Sequence, residues 1–123
     1  MADIQWREDQ PIYVQIRERL VSMILDGRLS PGDALPSVRS IATDLQVNPL
    51  TAMKAYQSLV DEAVVEKRRG RGMFCLEGAR EKLLNMERQR FLEQEWPHIR
   101  QRIENLGLNV KELMETGKGD KDQ

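Results

Sequence analysis

Residues 35–74 read LPSVRSIATDLQVNPLTAMKAYQSLVDEAVVEKRRGRGMF, and two helix starts lie in the first half of that stretch. Ser37 follows Pro36 and is placed to cap a short helix, for which Ile41 and Leu45 supply the buried side. Ala42 lets a neighbouring helix approach closely, and Gln46 and Val47 make a turn. Asn48-Pro49 then pairs a capping side chain with a proline at the first helical position, where a missing N–H costs nothing. The helix that follows carries Ala52, Ala55, Tyr56 and Leu59 on one face and reaches about Ala63. Two helices joined by so short a turn, with a small residue at the crossing, spell a helix-turn-helix.

After that helix the period changes. Val64 and Val65 form a short β segment, KRRGRG makes a basic turn, and Met73-Phe74-Cys75-Leu76 returns as a second strand. Gly70 and Gly72 permit the tight reversal. A hairpin directly behind a recognition helix is a wing.

Upstream, a helix begins at Pro11, with Tyr13, Ile16, Leu20 and Ile24 in one apolar stripe and Gly27 as its stop. The prolines and glycine of residues 29–36 make an ordered, turn-rich loop. Downstream, from about Ala79, a long charged amphipathic helix carries Leu84, Phe91, Leu92, Trp96, Ile99, Ile103 and Leu106 in an approximate stripe. Pro97 either kinks it or breaks it in two. Gly107 closes it, and Asn109 caps a last helix with Glu112 as its capping-box partner. The expected fold is mainly α with a small β-hairpin. A winged helix-turn-helix fills residues 1–77, a helical dimerisation arm 78–116 and a disordered polar tail 117–123.

Composition sets the class. Apolar residues make up 40% of the chain and charged residues 32%, which suits a soluble helix-rich protein. No apolar run approaches the roughly 18 residues needed to span a bilayer, and the N-terminus lacks the apolar core of a signal peptide. The single cysteine, Cys75, excludes a disulfide framework and a multi-cysteine metal site, and it suits the reducing cytoplasm. Cys75 reads as a small buried hydrophobe and His98 as a helix-surface residue. No phosphate loop, nucleophile elbow or carboxylate dyad is present, so neither an enzyme nor a cofactor is expected. The net charge of −1 is distributed unevenly: residues 67–71 hold four cations, whereas acidic residues gather toward the C-terminus.

The ordered run of Leu-Pro-Ser-x-Arg, Val-Asn-Pro, Ala-Tyr-x-x-Leu and Arg-Arg-Gly-x-Gly-x-Phe resembles the DNA-binding domain of the GntR family of bacterial regulators. The short helical C-terminal part is similar to the YtrA-like subfamily. That resemblance implies repression of a nearby operon, often one encoding a transporter. It also implies a backbone or base contact for Arg39, against the plainer reading of an ion pair with Asp44 or Asp61. Leu50, Ala63 and Met73 depart from the pattern, where a polar residue, a glycine and a small polar residue are usual.

In a helix-turn-helix, the N-terminal residues of the second helix meet base edges in the major groove. Here those are Asn48, Pro49, Leu50, Thr51 and Lys54. Leu50 either meets a thymine methyl or packs as a staple onto the first helix. Lys54 reaches a guanine edge or the backbone. In the wing, Arg68, Arg69, Gly70 and Arg71 suit phosphates or the narrow minor groove.

One winged helix is small for a genomic site, so a homodimer on an inverted repeat of double-stranded DNA is expected, joined through the apolar stripe of the arm. Only about 40 residues follow the wing, too few for an ordinary monomeric pocket. An unidentified small-molecule effector would have to bind between protomers or between arm and winged helix. The competing reading is a winged-helix interaction module whose basic turn meets an acidic protein.

Overall fold

The computed structural model describes residues 5–121, with side chains through residue 116. Its elements in order are α1 (Ile12–Leu25), α2 (Val38–Leu45), α3 (Pro49–Asp61), β1 (Val65–Arg68), β2 (Gly72–Cys75), α4 (Ala79–Arg90), a π turn (Phe91–Glu95), α5 (Trp96–Leu106) and α6 (Val110–Lys121). Among the described residues, no helix is long and apolar enough to cross a membrane.

The expected winged helix is present. Pro11 caps α1 rather than opening it: its carbonyl accepts from the N–H groups of Val14 and Gln15, at 3.2 and 3.4 Å. Ile16, Leu20, Val21 and Ile24 are buried, and Gly27 ends the helix at φ 88°. The Ser37 Oγ accepts from the Ser40 N–H at 3.0 Å, capping α2. Gln46, in a left-handed conformation at φ 58°, turns the chain into α3.

The buried face of α3 is the expected one: Ala52, Ala55, Tyr56 and Leu59 are all fully inaccessible. Each buried Leu or Ile side chain contributes about 1.5–3 kcal/mol. At the far end of α3, Val64 N–H reaches Leu59 C=O and Ala63 N–H reaches Val60 C=O, the paired bonds of a Schellman ending. The residue in its left-handed position is Ala63, at φ 62°.

β1 and β2 pair antiparallel, with Val65 opposite Cys75 and Arg68 opposite Gly72. The loop before α2 joins them: Ala34 bridges Phe74, Leu35 N–H reaches Met73 C=O and Cys75 N–H reaches Asp33 C=O. The wing therefore leans on a third short extended segment and not on its partner strand alone.

The chain divides into a first unit ending at Asn85 and a second from Met86 onward. Ala79 and Leu83 are buried in the first unit's core, so the opening turns of α4 belong with the winged helix and not with the arm. In the second unit, Pro97 produces neither a sharp break nor a plain kink. The helical path runs through the π turn, where Trp96 N–H bonds Phe91 C=O, and then into α5. The proline lacks an N–H and crowds the carbonyl four residues back, and a π turn accommodates both. Gly107 closes α5 at φ 67°, and Asn109 Oδ1 caps α6 through Glu112 N–H at 3.1 Å. Helix α6 continues to Lys121, into the stretch expected as a disordered tail. The last two residues of that tail lie outside the described residues.

Candidate nucleic-acid interface

Helix α3 has two unlike faces. Its inner face is fully packed, while its first turn is open to solvent: Asn48 and Pro49 are exposed, and Leu50 is 78% exposed. The staple reading of Leu50 is therefore wrong, because a staple would be covered by α1. Asn48 Oδ1 accepts from Leu50 N–H at 2.8 Å, which fixes the start of the helix. Thr51 is half-buried beside it. An exposed helix N-terminus carries the positive end of the helix dipole, which favours a phosphate.

Lys54, one turn on, leans toward α1, with its Nζ 4.3 Å from the centroid of the Tyr13 ring. Tyr13 was expected in the core stripe of α1; it is half-buried and packs against the core. Arg39 is exposed in the first turn of α2 and makes no ion pair among the described residues. Asp61, one of its suggested partners, instead accepts from Gln57 Nε2 at 3.0 Å.

In the wing, Gly70 sits at φ 73° and Gly72 at φ 104°, conformations that favour glycine. Arg71 N–H closes the turn on Arg68 C=O at 2.9 Å. The cations differ sharply in their surroundings. Arg69 and Arg71 are exposed and make no ion pair among the described residues. Arg68 is half-buried, donates from Nε to Glu66 Oε2 at 2.7 Å, and lies 4.3 Å over the Phe74 ring. Between wing and helices runs a groove of about 270 Å³, floored by Leu35, Val38, Tyr56 and Met73 and edged by Lys67 and Arg71. The exposed turn of α3, the start of α2 and the wing tip thus all belong to the first unit.

Two polar anchors hold this unit in shape. Tyr56 donates its hydroxyl to Pro36 C=O at 2.5 Å, tying α3 to the loop before α2. Burial pushes its phenol up to about 12. The buried Gln15 amide clamps the segment before α1, accepting from Arg7 N–H and donating to the carbonyls of Arg7 and Gln10. Tyr56 is legible as part of the α3 stripe but its bond to Pro36 is not, and a lone Gln on α1 carries no pattern at all. Cys75 is buried in β2, and burial, then Asp33 and then Glu77, raise its thiol.

Residues 12–75 match the family of bacterial regulatory proteins, gntR family. The chain belongs to the GntR family. It is similar to the HTH-type transcriptional repressor YtrA of Bacillus subtilis, with 43% identity over 84 residues, 68% of this chain and 65% of YtrA. The chain thus spans just under two thirds of YtrA's length. An uncharacterised HTH-type transcriptional regulator of the same organism, YhcF, is 34% identical over 119 residues, 92% of each chain. Among solved structures, a GntR family transcriptional regulator from Listeria monocytogenes superposes with a TM-score of 0.76 at 30% identity, over 93% of this chain and 98% of the other. The winged helix of this GntR chain is thus the fold expected of that family of bacterial regulatory proteins.

The expected arm residues are less uniform than the stripe suggested. Leu84 is half-buried and lies in the first unit, apart from the others. Phe91, Leu92, Ile99 and Leu106 are exposed, while Trp96 and Ile103 are half-buried. Phe91 and Trp96 rings lie 6.5 Å apart. None of the described residues from Met86 onward is buried. Leu108, Val110, Leu113 and Met114, beyond the stripe, add to the exposed apolar surface of this unit.

Proposed function

We propose that this regulator is a dimeric repressor that reads an inverted-repeat operator. The first turn of α3 enters the major groove with Asn48, Pro49, Leu50, Thr51 and Lys54, and Arg39 meets the backbone beside it. The wing tip, Arg69-Gly70-Arg71, meets phosphates or the minor groove. The observation that carries this reading is the division of α3 into a packed inner face and an open first turn led by Leu50. The open turn lies in the same unit as the exposed Arg69 and Arg71 of the wing tip, which make no ion pair among the described residues. A DNA target places the protein's work in the cytoplasm.

Dimerisation rests on the second unit. An amphipathic helical segment with no buried residue among those described cannot hold its apolar surface in water alone, and a second copy supplies the missing cover.

Fluorescence anisotropy of a duplex recovered from a random pool, titrated at several salt concentrations, tests the DNA reading. The logarithm of affinity should fall linearly with the logarithm of salt, with a slope of several units. A flat dependence would favour the rival reading, in which the basic wing binds an acidic protein.

A further inference from the structure

We infer that Arg68 does not contact DNA but, with Glu66 and Phe74, forms a brace that sets the wing tip where Arg69 and Arg71 meet it. This inference rests on the DNA-reading function proposed above. The strand register places the three residues together. Glu66 lies opposite Phe74 in the β1–β2 ladder, and Arg68 is two residues along β1 from Glu66, so all three share one face of the hairpin. The contacts follow from that register: Arg68 Nε to Glu66 Oε2 at 2.7 Å, and the guanidinium 4.3 Å over the Phe74 ring. Arg68 is also the last paired residue before the turn, opposite Gly72, and its carbonyl accepts the bond that closes the loop.

Charge separates it from its neighbours. The Arg68 cation is matched by a carboxylate and covered on one side by a ring. Its Nε is taken by Glu66, so a phosphate approaching the guanidinium would meet that carboxylate at close range. Arg69 and Arg71, past the last ladder pair, have no such partner among the described residues. Arginine suits the brace because its planar fork stacks on an aromatic face while donating in its own plane. Arg68 and Phe74 are thus positioning residues, and the pair acts on DNA only through the angle of the wing.

The test compares the wild type with Arg68→Ala, Phe74→Leu, the double variant, and Arg69→Ala, on one duplex recovered from a random pool. Arg69→Ala should lower the salt slope by about 0.9, the amount for one phosphate released. Arg68→Ala should weaken affinity about five- to tenfold with the slope unchanged, a loss of the size expected from one cation–ring contact plus one partly exposed ion pair. Phe74→Leu keeps the strand apolar and should give the same loss, with the double variant no worse than either single one. Footprinting separates wing placement from general damage to the fold. In Arg68→Ala, hydroxyl-radical protection of the minor groove should fade while methylation protection of the major groove under α3 stays. A slope lowered by about 0.9 in Arg68→Ala, or additive losses in the double variant, would overturn the brace. So would equal loss of both protections. A flat wild-type slope would instead remove the DNA-reading function itself, and the brace with it.

Discussion

The Lys54 ammonium of α3 lies 4.3 Å over the ring of Tyr13 on α1, linking α3 to a helix it packs against. The contact restrains a four-carbon stem and holds its charge beside α1. In the proposed interface Lys54 is therefore expected at a backbone phosphate on the edge of the major groove rather than at a base edge. Lys54→Ala should weaken binding about equally on all duplexes and lower the salt slope by about 0.9. A double-mutant cycle with Tyr13→Leu, read by urea unfolding without DNA, should give a coupling of about 0.5–1 kcal/mol. A loss confined to sites with guanine at one position would show that Lys54 reads a base.

In the proposed interface, Leu50 is assigned to base readout rather than to positioning. With no hydrogen-bonding atom in its side chain and almost no cover, it is suited to a thymine methyl. Leu50→Asn should shift preference toward adenine at one operator position, with about 1–3 kcal/mol of discrimination, while total affinity for non-specific DNA stays close to wild type. Competition binding against duplexes varied at that position measures it.

Ala63 is an alanine in a glycine's place. It holds φ at 62° in the left-handed position of the Schellman ending of α3, where a Cβ is strained by about 1–2 kcal/mol. Ala63→Gly should stabilise the protein by about 0.5–1 kcal/mol, less than the strain because glycine also frees the unfolded chain. Chemical denaturation should show the midpoint moving up with an unchanged slope.

The Tyr56 phenol carries a stability term with a defined pH window. Its folded value is raised from 10.0 to about 12, so the folded state keeps the proton longer than the unfolded one. This contribution is complete below pH 10, shrinks as the pH climbs because the unfolded tyrosine ionises first, and is gone by about 12. In a Tyr13→Phe background, where Tyr56 is the remaining tyrosine of the two, phenolate absorbance of the folded protein should rise near 12. Tyr56→Phe should remove this pH dependence. It should also cost about 1 kcal/mol or more at neutral pH, because Pro36 C=O loses its donor.

The arm predicts its own test. Glutamate at Leu92 and Ile99 places charge on the surface that a second copy would cover. The double variant should sediment as a monomer. Its affinity for an inverted repeat should fall by about 100-fold, as expected when two linked contacts become one, while affinity for a single half-site stays unchanged. Equal loss on both duplexes would place these residues in the fold of the arm and not between protomers.

Local signals carried most of the fold. Ser37, Asn48-Pro49 and Gly27 mark helix ends through bonds made within a few residues, and the α3 stripe is written at helical spacing, so both can be read from neighbours alone. What was not legible depends on distant partners. Tyr13 and Lys54 are far apart in sequence, as are Tyr56 and Pro36, and no spacing rule links them. Ala79 and Leu83 continue the pattern of the arm helix, yet the winged unit claims them because its core is open at that edge. Pro97 announced a disturbance without saying which kind, since a kink, a break and a π turn all answer the same missing N–H. The basic run 67–71 is visible as charge, but its division between Arg68 and its neighbours follows from strand register.

The most direct test of the operator-reading account is selection of preferred sites from a random duplex pool by the full chain. It should enrich an inverted repeat whose half-sites lie about 10–10.5 base pairs apart centre to centre, or a multiple of that, on one face of the duplex. The same selection with Leu50→Asn should keep the spacing and change the base at one symmetric pair of positions. Recovery of no common sequence, or of a single unrepeated site untouched by Leu50→Asn, would contradict both the dimer and the assignment of readout to the first turn of α3.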